Sequence, residues 1–212
     1  MTSKKEFPKG TLALFGSIIL LLIVVYLIQT PNKNTVPKDL IAVLRPSAIP
    51  LQPFKLLDQN KQVFMNNHLK GKWSFVFFGY THCPDICPTT LSTLKQVNSA
   101  LKKHPQAAKD LQVVFVSVDP ARDKPETLAE YTAYFNKEFI AVTGFTDNLL
   151  GFSKQFAAGY RKEKADTQGN YLISHTSSIF LVDPKTRIVA AFAPPHYAET
   201  ITSQYLKIHD LF

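Results

Sequence analysis

The apolar and polar positions of this chain divide it into an apolar N-terminal segment, a proline-marked polar stretch and a long region of alternating strand-like and helix-like patterns. Residues 12 to 28 carry no charge and are almost wholly apolar. As a helix rising about 1.5 Å per residue they just cross the roughly 30 Å core of a bilayer, which predicts a transmembrane anchor over 11–29 behind a tail at 1–10. Lys4, Lys5 and Lys9 precede the segment while Lys33 and Lys38 follow it, a bias that places the tail in the cytoplasm and the remaining chain outside. A cleaved signal peptide competes with this reading, but Gln29-Thr30-Pro31-Asn32-Lys33 offers no small-x-small cleavage pattern. A buried helix of a soluble core is opposed by the polar tether that follows. Pro31, Pro37, Pro46 and Pro50 mark residues 30–50 as a linker.

Residues 51–212 read as one domain. Phe54–Leu57 and Gln62–Phe64 form a predicted hairpin across Asp58-Gln59-Asn60-Lys61. Trp73–Phe78 is a near-continuous apolar run, short enough for a buried strand. Gly79-Tyr80-Thr81-His82 breaks it, and Pro88 suits the first turn of a helix running to about Lys103, with Leu91, Leu94, Val97 and Leu101 on one stripe. A buried strand at Leu111–Val118, a helix at Pro125–Asn136, a strand at Phe139–Val142 and a helix at Asp147–Ala158 follow. Strands are then predicted at Tyr160–Lys164, Tyr171–Ser174, Ser178–Val182 and Arg187–Phe192, with a closing helix at Tyr197–Ile208. This alternation predicts an α/β domain with a central mixed sheet flanked by helices.

Charge narrows the possible partners. Lys and Arg number 24 against 16 Asp and Glu, but beyond residue 40 the balance is 19 to 14. That mild excess, with no basic run interleaved with aromatics, argues against nucleic-acid binding and suits docking to an acidic partner or a lipid surface.

The two cysteines stand four residues apart in Cys83-Pro84-Asp85-Ile86-Cys87, too few and too close for a disulfide framework. A strand, a thiol pair and then a helix start is the arrangement of thioredoxin-like folds. If the helix begins near Cys83, both sulfurs share one side, and the helix N-terminus favours thiolates. Three roles compete. A structural disulfide closing so short a loop adds little. A redox dithiol is chemically sound, but oxidoreductases of this fold usually have two intervening residues and a cis-proline facing the pair. Here three residues intervene, and no proline lies between Tyr171 and Val182. The third role is a metal clamp, since two thiolates hold Cu(I) and an added imidazole also accommodates Cu(II). Among His68, His82, His104, His175, His196 and His209, the preferred third ligand is His175, on a predicted loop between two late strands. His82, adjacent to Cys83, is the alternative.

With these motifs in view, the sequence resembles the Sco, or SenC-type, family of copper-handling proteins of cytochrome c oxidase assembly. The resemblance rests on Gly79-Tyr80-Thr81-His82-Cys83-Pro84-Asp85-Ile86-Cys87-Pro88, on Phe115-Val116-Ser117-Val118-Asp119-Pro120-Ala121-Arg122-Asp123, and on His175 with its following serines. It implies copper, as Cu(I) or Cu(II), bound by Cys83, Cys87 and His175 in a periplasmic or intermembrane-space domain. The implied partner is the copper-bearing subunit of cytochrome c oxidase or another periplasmic copper protein. Asp119 matches a family acid implicated in copper or partner handling, the plain alternative being a cap or turn residue. Ser174 departs from the family pattern, which places Asp before the histidine. The setting expected is a bacterial inner membrane with the domain in the periplasm. The expected function is a copper metallochaperone rather than an enzyme. The alternative is a thiol–disulfide oxidoreductase using Cys83 and Cys87; a thiol peroxidase, which needs a peroxide pocket, is a third reading.

Overall fold

The computed structural model describes residues 17–25 and 36–212. Residues 17–25 are a helix (α1) whose side chains are exposed. No helix among the described residues is long and apolar enough to cross a membrane. The predicted tail at 1–10, the remainder of the predicted anchor over 11–29 and the first part of the linker lie outside the described residues.

The second unit, Lys38–Phe212, is built on an eight-stranded mixed sheet. Its strands are β1 (Leu44–Pro50), β2 (Leu56–Asp58), β3 (Val63–Phe64), β4 (Trp73–Gly79), β5 (Leu111–Ser117), β6 (Ile140–Thr143), β9 (Ile179–Val182) and β10 (Arg187–Phe192). Their spatial order is β1-β10-β9-β4-β5-β6-β2-β3. The β4–β5 and β5–β6 pairs are parallel and the others antiparallel. A separate ribbon pairs β7 (Tyr160–Lys162) with β8 (Ile173–His175). The helices of this unit are α2 (Ile86–Leu101), α3 (Pro105–Ala108), α4 (Pro125–Phe135), α5 (Thr146–Gln155) and α6 (Ala198–Leu211).

Strand β4 is buried at every position, as expected of a central strand covered on both faces. Its alternation sends Trp73 and Phe75 towards Tyr205 of α6, and Phe78 towards Phe152 of α5, Phe156 and Phe180. The stripe Leu91, Leu94, Val97 and Leu101 of α2 is fully buried, and α2 packs beside α6. A buried polar pair beside β4 is satisfied: Gln112 Nε2 donates to Ser74 Oγ at 2.9 Å and to the His68 carbonyl at 2.9 Å.

The structure departs from the sequence pattern in three places that bear on the site. Residues 44–50, expected within the linker, form β1, which pairs antiparallel with β10. Pro46 and Pro50 are tolerated because β1 is an edge strand, where a missing N–H breaks no ladder on the open side. Asp85, at φ −139° and ψ −66°, is not helical, so α2 begins at Ile86 and leaves Cys83 in the preceding turn. His175 is the last residue of β8 rather than a loop residue.

Candidate metal centre

The end of β4, the start of α2 and the end of β8 meet at the two cysteines and one histidine. Cys87 lies in the first turn of α2 and is fully buried. Cys83 is 9% exposed and its N–H donates to the Tyr80 carbonyl at 3.2 Å, closing the turn that carries it. The two cysteines are free thiols. Their sulfurs and a ring nitrogen of His175 all lie within 4.8 Å of one another. Close approach is possible because residue 79 is glycine: a Cβ there would stand 2.6 Å from Cys87 Sγ.

The imidazole is aimed by its surroundings. His175 Nδ1 faces the Thr176 carbonyl at 3.1 Å, which assigns the proton to Nδ1 and leaves the Nε2 lone pair free. Nε2 lies 3.4 Å from Cys87 Sγ. Phe77 and Tyr80 press edge-to-face against the ring, and the Tyr80 hydroxyl accepts the Ile173 N–H at 3.2 Å, fixing the approach of β8.

The two sulfurs are electrostatically unequal. A hydrogen bond from the Cys87 thiol holds the Cys83 thiol down to about 3, helped by the N–H groups of Asp85 and Cys87. Cys87 is pushed far up, chiefly because its proton is held in that bond and then by burial. In the reduced protein the thiolate is therefore favoured on Cys83 and the thiol on Cys87.

Asp119 is buried but does not belong to the sulfur–imidazole group. Its carboxylate accepts from Arg122 Nε and, at 2.8 Å, from the Tyr171 hydroxyl. Arg122 also donates to the Tyr171 carbonyl at 3.0 Å and stacks 3.6 Å over its ring. Asp119 thus acts on the chain two residues before β8, rather than as a simple cap. His82 is half exposed and its Nδ1 turns to Thr81 Oγ1 at 3.0 Å, so it is not in the sulfur group. Ser174, the departure from the family pattern, donates to Glu163 at 2.6 Å; an acid beyond β7 in sequence lies against the position that lacks one. His196, one of the histidines not preferred as a ligand, donates from Nε2 to the Ser177 carbonyl at 2.8 Å and braces the turn after His175.

Three ligand atoms of this kind, two soft and one imidazole, fit a thiophilic metal such as copper and are poor for hard oxygen-seeking cations. A 730 Å³ cleft lined by Leu57, Pro120 and Phe145 includes none of the three residues.

The SCO1/SenC family model matches residues 44–210. An SCO2-like protein of Rickettsia felis is 36% identical over 140 residues, which cover 66% of this chain and 67% of that protein. The copper-bound structure of ScoI from Bradyrhizobium japonicum is similar at a TM-score of 0.67 and 33% identity, covering 76% of this chain and 99% of that one. Copper-bound yeast Sco1 gives a TM-score of 0.71 at 28% identity, covering 77% and 90% of the two chains. The expected thioredoxin-like fold, a central mixed sheet with helices, is the one these structures share with this domain. With most of its length matched, the chain belongs to the SCO1/SenC family.

Proposed function

We propose that this protein is a copper metallochaperone for the binuclear copper site of cytochrome c oxidase, with Cys83, Cys87 and His175 as the ligands. The observation that carries this reading is the convergence of both sulfurs and the free nitrogen of His175 within 4.8 Å. Softness of the sulfurs selects Cu(I), and the imidazole completes a set that also holds Cu(II). Relatives from Bradyrhizobium and yeast whose structures carry copper support the choice of metal. Cu(I) binding to both sulfurs displaces the proton held by Cys87, so loading is coupled to proton release.

A second reading, reduction of a disulfide in the recipient, is favoured by the inequality of the sulfurs. A slightly exposed thiolate beside a fully buried thiol suits an attacking and a resolving group. Membrane anchoring through 11–29 and a periplasmic position in a bacterial inner membrane rest on the sequence pattern described above.

The test is His175→Ala in the full chain. The variant is expected to lose the thiolate-to-Cu(II) charge-transfer band while the two thiols still retain Cu(I). An unchanged Cu(II) spectrum removes His175 from the ligand set. Mixed-disulfide trapping with Cys87→Ser addresses the second reading, because a pure carrier traps no partner.

A further inference from the structure

Cys83 lies outside α2, so the helix does not fix its position; the turn at Tyr80, Thr81 and His82 does. A carboxylate from a different element grips that turn. Asp123, in the segment between β5 and α4, is fully buried. Its Oδ2 accepts the Thr81 N–H at 2.9 Å and the Ser117 hydroxyl at 2.5 Å, and its Oδ1 accepts the Thr81 hydroxyl at 2.5 Å. Its own N–H donates to the Asp119 carbonyl at 2.9 Å, and His82 Nδ1 stands 3.8 Å from Oδ1.

A carboxylate taken wholly out of water is costly unless its lone pairs are filled, and here the groups filling them come from two directions. Ser117 is the end of β5, part of the rigid centre of the sheet. Thr81 is two residues before Cys83. Asp123 therefore ties the sulfur-bearing turn to the sheet, much as Tyr80 and Arg122 tie the histidine-bearing strand.

We propose that Asp123 is the positioning residue of the Cys83 arm, holding the 80–83 turn so that Cys83 Sγ meets Cys87 and His175. The role is mechanical and does not require the negative charge. In Asp123→Asn the remaining oxygen can still accept from Thr81 N–H and Ser117, while the amide donates to a Thr81 hydroxyl that has rotated towards His82. Asp123→Ala removes all three contacts. The metal readout rests on the copper reading; the exchange readout does not.

The experiment compares wild type, Asp123→Ala and Asp123→Asn in the full chain, in the reduced, metal-free state and with Cu(I). Asp123→Ala is expected to exchange the Thr81 amide hydrogen at least about tenfold faster, with amides of β4 and β5 still protected, and to bind Cu(I) about 10- to 100-fold more weakly in a chelator competition, the usual loss when an orienting partner is removed. Asp123→Asn is expected to restore most of both. Thr81 exchange and Cu(I) affinity in Asp123→Ala within about twofold of wild type overturn the proposal. So does Asp123→Asn matching Asp123→Ala, which would place the effect in the charge. If Asp123→Ala does not fold, Thr81→Val carries the test, because it deletes the hydroxyl contacts to Asp123 and to exposed His82 and keeps the Thr81 N–H bond to Asp123; a several-fold loss of Cu(I) affinity supports the proposal and an unaltered affinity overturns it. A wild type that exchanges as described but binds no copper refutes the metal reading and leaves the positioning role standing.

Discussion

Gly79 offers the sharpest test of how tightly the thiol pair is seated. A methyl group added there would stand 2.6 Å from Cys87 Sγ, 2.8 Å from Phe115 Cε2 and 3.3 Å from Phe77 Cε1. The first of these falls about 0.8 Å short of the 3.4 Å at which ordinary contact begins. Neither close neighbour can retreat into solvent, since Cys87 and Phe115 are fully buried, the one in the first turn of α2 and the other in central β5. Gly79→Ala therefore overpacks the junction, at a cost of about 1–3 kcal/mol. For a domain of this size that lowers Tm by about 2–4 °C per kcal/mol. The same displacement moves Cys87 Sγ relative to His175 Nε2, now 3.4 Å away, so Cu(I) affinity should fall at least about tenfold. Thermal unfolding of the reduced protein and chelator competition measure the two effects. Leu94→Ala is the control: it empties core beneath α2, costs about 2–5 kcal/mol and leaves copper affinity near wild type. Gly79→Ala with unchanged Tm and unchanged copper affinity would refute the reasoning.

Two further predictions concern the charge and bracing of the site. In the reduced, metal-free protein Cys83 is lowered from 9.0 to about 3, so its stabilisation is complete above the unfolded value and declines as pH falls towards about 3. Cys87, shifted upward, acts oppositely and withdraws stability as pH rises above 9.0, so the pair's contribution peaks near there. Below the peak the slope is at most about 1.4 kcal/mol per pH unit; urea unfolding across neutral pH should lose that component in Cys83→Ser, and an identical slope in the variant would sink the assignment. Tyr171→Phe removes the hydroxyl that donates to buried Asp119 and should destabilise the domain by about 1–2 kcal/mol, because Arg122 remains to satisfy part of the carboxylate. Chemical denaturation checks this, and no loss would mean that water replaces the hydroxyl.

The parts of the fold legible in the sequence are those where burial leaves a simple pattern. Strand β4 reads as an apolar run because both its faces are covered, and α2 reads from a stripe that is buried in full. The strand at 44–50 was hidden because Pro46 and Pro50 look the same in a tether and on a sheet edge. At the site, the pairing of Cys83 with Cys87 and the late position of His175 were readable. The helical account of the sulfur spacing was not right in detail, since Cys83 precedes α2 and a turn brings it alongside Cys87. Gly79 reads as a strand breaker in sequence, whereas its role is to make room for a sulfur. Asp123 closes the second motif of the resemblance, but nothing in that motif gives it a role; only its burial and its reach to Thr81 reveal one.

On either proposed reading of the function, metal transfer or thiol exchange, the inequality of the sulfurs sets the order of events at this site. Cys87 is fully enclosed and its sulfur touches Gly79, Cys83 and His175, whereas Cys83 retains a small exposed surface. An incoming ligand or disulfide therefore meets Cys83 first, and Cys83 is also the sulfur on which the thiolate is favoured. For a recipient thiolate, that makes copper on Cys83 the accessible point of exchange. For a recipient disulfide, it makes Cys83 the attacking group and Cys87 the thiol that resolves the mixed disulfide once its proton departs. The order predicts that a stable mixed disulfide accumulates with Cys87→Ser, in which Cys83 can attack but nothing resolves. It does not accumulate with Cys83→Ser, whose remaining thiol is buried and protonated. Equal trapping by the two variants would show that burial and proton affinity do not govern access, and the assigned order would fall.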